Sequence, residues 1–155
     1  MSFRFATWNV EWFNRLFLDD GAMDATEELS ARYEVTKARQ LQAIAAVMRA
    51  VDADALLIIE APDDNRRRSS VVALQGFADA VGLRTTKAML GFANDTRQEI
   101  ALLYDPTRIT PRHAPGDSEN APRFDRVFGM DLDIDLKAER LIWSKPPLEL
   151  DLETP

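Results

Sequence analysis

The sequence predicts an α/β fold organised on a strand–helix–strand unit, and three observations predict it. Phe5-Ala-Thr-Trp8-Asn9 is a short apolar run, rich in aromatics, that stops at a polar amide. Ala55-Leu-Leu-Ile-Ile59 is a second apolar run, and it stops at Glu60. Between them the hydrophobic period becomes helical: Leu41, Ile44, Ala45, Met48 and Val51 recur along one face, with Lys37, Arg39, Gln40 and Arg49 on the rest. Strands joined through a helix run parallel with a right-handed crossover, so their carboxyl ends emerge at the same edge of the sheet. Ligands of open α/β sheets bind at that edge. Asn9 and Glu60 are therefore the first candidate site pair.

Taken in order, the first strand spans Phe3 to Asn9. Residues 13–30 read as a loop with a helical turn lying over the strand ends, with Asp19-Asp20-Gly21 as a turn. The first helix runs from about Ala31 to Val51 and stops at Asp52-Ala-Asp54. The continuous apolar character of Ala55 to Ile59 suits a strand buried on both faces. Ala61 to Asn65 turns the chain into a second helix, with Ser69 or Ser70 as N-cap and Gly82 at the position where a helix ends on glycine. Its apolar face is Val71, Leu74, Ala78 and Val81. Thr85 to Phe92 and Glu99 to Tyr104 are strands around an Asn94-Asp95 turn, and Asp105-Pro-Thr-Arg turns tightly into Ile109 to His113. After a polar loop from Ala114 to Pro122, Phe124–Leu136 and Leu141–Leu152 are expected to pair as a hairpin. Asp131, Asp133 and Asp135 alternate there with Leu132, Ile134 and Leu136, the pattern of a solvated strand face.

Composition narrows the chemistry. The chain has 155 residues, 46% of them hydrophobic and 29% charged, which fits one globular domain with a real core. No apolar run is long enough to span a bilayer. Cysteine is absent, which removes disulfides, thiolate catalysis and zinc–sulfur sites. With neither disulfides nor a leader-like start, the expected compartment is the cytoplasm. The formal net charge of −7 opposes non-specific binding to a phosphate backbone, although bound divalent cations reverse the field locally. The single histidine, His113, leaves no histidine pair for a metal or a relay, and it reads as a surface loop residue.

Each candidate has a plain alternative. Asn9 is by type a turn former, and Glu60 a solvated strand terminus. Together, at the ends of neighbouring parallel strands, they supply a hard carboxylate oxygen and an amide able to orient it, which is what a magnesium-type cation takes. Arg66, Arg67 and Arg68 could contact phosphate or simply form a solvated approach to the second helix. Trp12 and Phe13 could stack on a base or pack in the core. The aspartate comb does not have the spacing of a calcium loop.

Four stretches also carry a resemblance. Trp8-Asn9-Val10 opens the chain, and Ala53-Asp54-Ala55-Leu56 leads to Ile59-Glu60-Ala61. Glu99-Ile-Ala-Leu-Leu-Tyr-Asp-Pro106 follows the second helix, and Lys145-Pro146-Pro147-Leu148 comes later. In this order they resemble the endonuclease/exonuclease/phosphatase superfamily, the deoxyribonuclease I-like fold, over essentially the whole chain. The resemblance implies hydrolysis of a phosphoester by water with Mg2+ or Mn2+. It makes Glu60 the metal-binding carboxylate, Asn9 its companion in catalysis and metal binding, and Lys145 a phosphate contact. Where the family usually has arginine, Lys145 keeps the charge but loses the bidentate fork. Glu11 has no counterpart in the motif. The family's later motifs, a strand ending in histidine, an Asp-x-Asn pair and a terminal Asp-His, are not in this sequence.

The resulting expectation is a mixed sheet with both helices on one face, the first half of a four-layer α/β sandwich, with residues 1–155 as the N-terminal portion of such a domain. The opposite sheet face would then lack its usual partner, which implies self-association or a complementary C-terminal fragment. The function expected is that of a metal-dependent phosphoesterase, foremost a nuclease, inactive in isolation. A non-catalytic binding module of the same fold is the alternative. A nucleotide-binding α/β domain comes third, because Asn9 to Phe13 lacks the glycine that its first turn requires.

Overall fold

The computed structural model describes residues 2–32, 34–93, 99–118, 123–130, 133–135 and 137–154. In chain order the elements are β1 (Phe5–Asn9), α1 (Lys37–Val51), β2 (Ala55–Ala61), α2 (Ser70–Val81), β3 (Lys87–Leu90), β4 (Glu99–Tyr104), β5 (Thr110–His113), β6 (Phe128–Met130), β7 (Glu139–Leu141) and β8 (Leu150–Glu153). A 3-10 turn, Phe13–Leu16, follows β1. The main sheet is mixed, in the order β1-β2-β4-β3. β1 and β2 run parallel with Asn9 opposite Ile59, while β4 is antiparallel to both β2 and β3. The predicted strand–helix–strand unit is therefore present. The Asn94-Asp95 turn between β3 and β4 lies outside the described residues.

Helix α1 begins at Lys37 rather than Ala31, because Thr36 is its cap: the Thr36 hydroxyl accepts the Arg39 N–H at 3.3 Å. The residues before it form turns instead, with Ser30 N–H donating to the Val35 carbonyl at 2.8 Å. Helix α2 has the predicted ends. Ser69 Oγ accepts the Val72 N–H, and Gly82 closes the helix at φ 69°, a left-handed value that glycine adopts without a Cβ clash.

Leu56 and Ile58 of β2, with Ala101 and Leu103 of β4, meet Leu41, Ile44 and Met48 of α1 and Leu74 and Phe77 of α2 in the main core. Both helices thus cover one face of the sheet. The buried stripe of α2 is rotated from the predicted one. It centres on Ala73, Leu74, Phe77 and Ala78, because Phe77 meets Phe13 edge-on at 5.3 Å and Phe13 meets Phe17 at 5.0 Å. Edge-on aromatic pairs add roughly 0.5–1.5 kcal/mol beyond area burial.

The opposite face is not bare. Ala55 and Leu102 are fully buried there beneath Ile109, with Leu148 and Leu150 packed alongside. β5 pairs with β8 as a small second sheet, so the long hairpin predicted for residues 124–152 does not form. Among the described residues a short hairpin, β6 with β7, is what remains of it. The open part of this face is at β1, where Phe5 stays 50% exposed. No described helix is long and apolar enough to cross a membrane.

Candidate functional site

Glu60 owes its position to a fault in β2. Ile59 pairs with Ile100 of β4, yet Ala61 pairs with Glu99, so one residue of β2 is extra and Glu60 is the bulge. Its φ is 65°, in the left-handed region. In an uninterrupted strand Glu60 would follow Leu56 and Ile58 into the apolar core under the helices, where an ionised carboxylate is costly. The bulge gives that core position to Ala61, which is fully buried. The carboxylate is re-aimed toward the strand ends.

Three groups meet it there. Glu60 Oε2 accepts the Trp12 N–H at 3.3 Å, and Oε1 accepts the Lys145 ammonium at 3.1 Å. The Asn9 side chain, at the end of the neighbouring parallel strand, lies near enough to favour the charged carboxylate. Trp12, like Glu60, is left-handed, with φ 61°. The Glu60 side chain is only 13% exposed, and that of Lys145 is 32% exposed. Burial pushes the Glu60 carboxyl up, but the Lys145 ammonium, the Trp12 N–H and the Asn9 amide together hold it below the usual glutamate value.

Lys145 reaches this point because the segment after it is pinned. Pro146 is buried, and Leu148 packs so closely on Gly91, just past β3, that a Cβ at Gly91 would lie 3.1 Å from its side chain. The structure thus brings Asn9, Glu60 and Lys145 together.

It does not bring the three arginines with them. Arg68 is buried, ion-paired with Asp63, and donates to the Phe17 carbonyl at 2.8 Å and the Asn14 carbonyl at 3.3 Å. It clamps the 3-10 turn to the loop before α2 and presents nothing to a phosphate. This corrects the reading of Arg68 as a phosphate contact. Arg67 is exposed and pairs with Asp19 at 3.1 Å, and Arg66 is exposed in the same loop.

The remaining candidates separate cleanly. Phe13 is core, while Trp12 is partly exposed and touches the site through its backbone N–H. Glu11 pairs with Arg32 on the surface. His113 is not in a loop: it ends β5, edge-on to Phe92 with centroids 4.8 Å apart. Asp133 and Asp135 do not alternate in a strand but cap a turn, where Asp135 Oδ1 accepts the Lys137 N–H at 2.8 Å. With Glu139 they form an exposed acidic group, and Asp131 lies outside the described residues.

Two charged features escaped the sequence reading. Glu99 is fully buried opposite Ala61, and its Oε1 accepts the Asp64 N–H at 3.4 Å. A glutamate opening an otherwise apolar strand was the available signal. At the other end of the sheet Asp54 accepts the Arg4 N–H at 2.6 Å, Arg84 at 2.7 Å and Arg108 at 3.1 Å. Arg84 also bonds Asp52 and Asp105, so this cluster is a saturated structural network.

Magnesium and manganese are held by oxygen donors, often one or two carboxylates with waters completing the shell. The Glu60 carboxylate and the Asn9 amide oxygen are donors of that kind, and an ammonium already stands against the carboxylate. The donor set fits a divalent cation. In comparisons with known proteins the chain matches no family model, no curated protein and no solved structure.

Proposed function

We propose that this chain carries one side of a divalent-metal-dependent phosphoesterase site of the endonuclease/exonuclease/phosphatase kind, with a nucleic-acid phosphodiester as substrate and Mg2+ or Mn2+ as cofactor. A four-layer sandwich of the deoxyribonuclease I type is the architecture that goes with this reading. The observation that carries it is the Glu60 bulge, a strained backbone that lifts one carboxylate out of the core and onto Asn9 at the ends of two parallel strands. Strain of this sort concentrates at functional sites. The motif order gives further support, since Lys145-Pro146-Pro147-Leu148 returns across the molecule to the carboxylate that closes the second motif.

The residues then divide the work. Glu60 supplies the metal-binding oxygen, and Asn9 and the Trp12 N–H fix the orientation of its carboxylate. Lys145 brings a positive charge for a phosphate oxygen. When bound, the metal would polarise the phosphoryl group and stabilise the leaving oxygen. His113 is packed on Phe92 and takes no part, so no base is assigned to activate water, and the 155-residue chain is expected to hydrolyse phosphodiesters barely or not at all.

One observation favours the non-catalytic alternative: both Glu60 oxygens already have protein partners. Calorimetric titration of Mn2+ into wild type and Glu60→Gln separates the two readings. The metal-site reading expects a weak binding heat that Glu60→Gln abolishes. Equal heats for both proteins would sink it and leave the binding module.

A further inference from the structure

Lys145 and Glu60 lie 85 residues apart in sequence, yet the ammonium stands 3.1 Å from Oε1, while the Trp12 N–H takes Oε2. The Glu60 side chain is nearly buried and that of Lys145 a third exposed. A divalent cation bound to that carboxylate would meet the ammonium at close range, where two like charges repel strongly in a partly desolvated site. Lys145 can leave. Its backbone is pinned by Pro146 and by Leu148 on Gly91, but its four-carbon stem is flexible and its charge is a compact point. The Lys145 side chain is already partly open to solvent, so swinging it to an incoming anion requires no exposure of the core.

We propose that Lys145 is a built-in counter-ion that holds the Glu60 site against divalent metal until a phosphoryl group draws the ammonium away. Metal and phosphate then bind synergistically, each relieving the same ion pair, and the coupling is reciprocal. This lock rests on the proposed metal site, and the two fail in different ways.

The test is Mn2+ binding followed by electron paramagnetic resonance on the full chain, with Glu60→Gln subtracted to remove ions held on surface acids. Wild type, Lys145→Met, Lys145→Gln and Lys145→Arg are each measured without and with inorganic phosphate below its manganese solubility limit, and circular dichroism checks their folding. Lys145→Met and Lys145→Gln should bind Mn2+ roughly 5–150-fold more tightly than wild type, the usual span of site-to-site coupling. Lys145→Arg should stay near wild type. Phosphate should tighten Mn2+ in wild type by a similar factor and leave the two neutral variants unchanged. Equal Mn2+ affinity in wild type and the neutral variants would overturn the lock while sparing the metal site. So would a wild type indifferent to phosphate, a result that needs no variant to fold. Absence of Glu60-dependent Mn2+ in every protein, the neutral variants included, would overturn the metal reading and the lock with it.

Discussion

The bulge at Glu60 makes a prediction of sign. Glu60→Ala and Glu60→Gly both remove the carboxylate with its bonds to Lys145 and Trp12 and its interaction with Asn9, so those losses cancel between the two variants. What differs is one Cβ at φ 65°. A left-handed backbone costs an L-residue roughly 1–2 kcal/mol, and glycine escapes that cost. Against this, glycine loses about 0.5–1 kcal/mol more conformational entropy than alanine on folding. The balance favours Glu60→Gly over Glu60→Ala by about 0.5–1 kcal/mol. In a regular strand, with φ negative, alanine would win by about the same margin.

Urea unfolding of the two variants reads the difference directly, since equal slopes with shifted midpoints report stability alone. For a chain of this size the expected gap is also about 1–4 °C in Tm. An alanine variant as stable as the glycine variant, or more so, would refute the reasoning. Glu60 would then continue β2 as an ordinary strand residue, and the account of how its carboxylate is turned out of the core would fall with it.

The other predictions concern the frame around the site. Arg68→Met should destabilise by about 3–5 kcal/mol, because it strands a buried Asp63. Arg67→Met, which breaks only an exposed pair with Asp19, should cost under about 1 kcal/mol, and similar losses in the two by chemical denaturation would contradict the assignment of Arg68 as a clamp. Asp54 is held down to about 2, first by the Arg4 N–H and then by Arg84. A carboxyl depressed on folding stabilises fully above its unfolded value of about 3.9, and that stability disappears as pH falls toward the folded value. The stability gap between wild type and Asp54→Asn should therefore be constant from pH 7 to pH 5 and shrink between about pH 4 and pH 2; a gap independent of pH over that range would be evidence against the network.

What could be read from the sequence follows the range of the forces involved. The β1–α1–β2 unit and the cap of α2 rest on local periods and local hydrogen bonds, and they were visible in residues 5–82. Long-range pairing was not. The alternation in residues 124–152 suggested one hairpin, but β8 instead joins β5 across the chain, because Leu150 can there be buried with Leu148 and Ile109 over Ala55 and Leu102. Arg68 looked like its neighbours Arg66 and Arg67, and only the return of the 3-10 turn to the loop before α2 distinguishes it. Asn9 and Glu60 were legible as strand-end residues. The Trp12 N–H was not, since a backbone donor has no signature in side-chain type.

Two of the charged clusters among the described residues differ in a way that shows why one reads as a site. The Asp54 cluster lies in the loops at one end of the sheet and matches its aspartates with several arginines and a backbone N–H; its left-handed residue, Asp52 at φ 45°, is the one that closes α1. It is what a chain builds to tie a sheet end to its loops. The Glu60 cluster has a single carboxylate and a single ammonium, and two of its contributors, Glu60 and Trp12, are non-glycine residues in left-handed backbone that bond each other. At roughly 1–2 kcal/mol each, that strain exceeds what a partly exposed ion pair returns. Glycine or asparagine at either position would relieve it and keep the fold. A sequence that keeps glutamate and tryptophan there has placed a carboxylate at the cost of stability, and such disagreements between sequence and fold rules are expected where a chain binds or reacts.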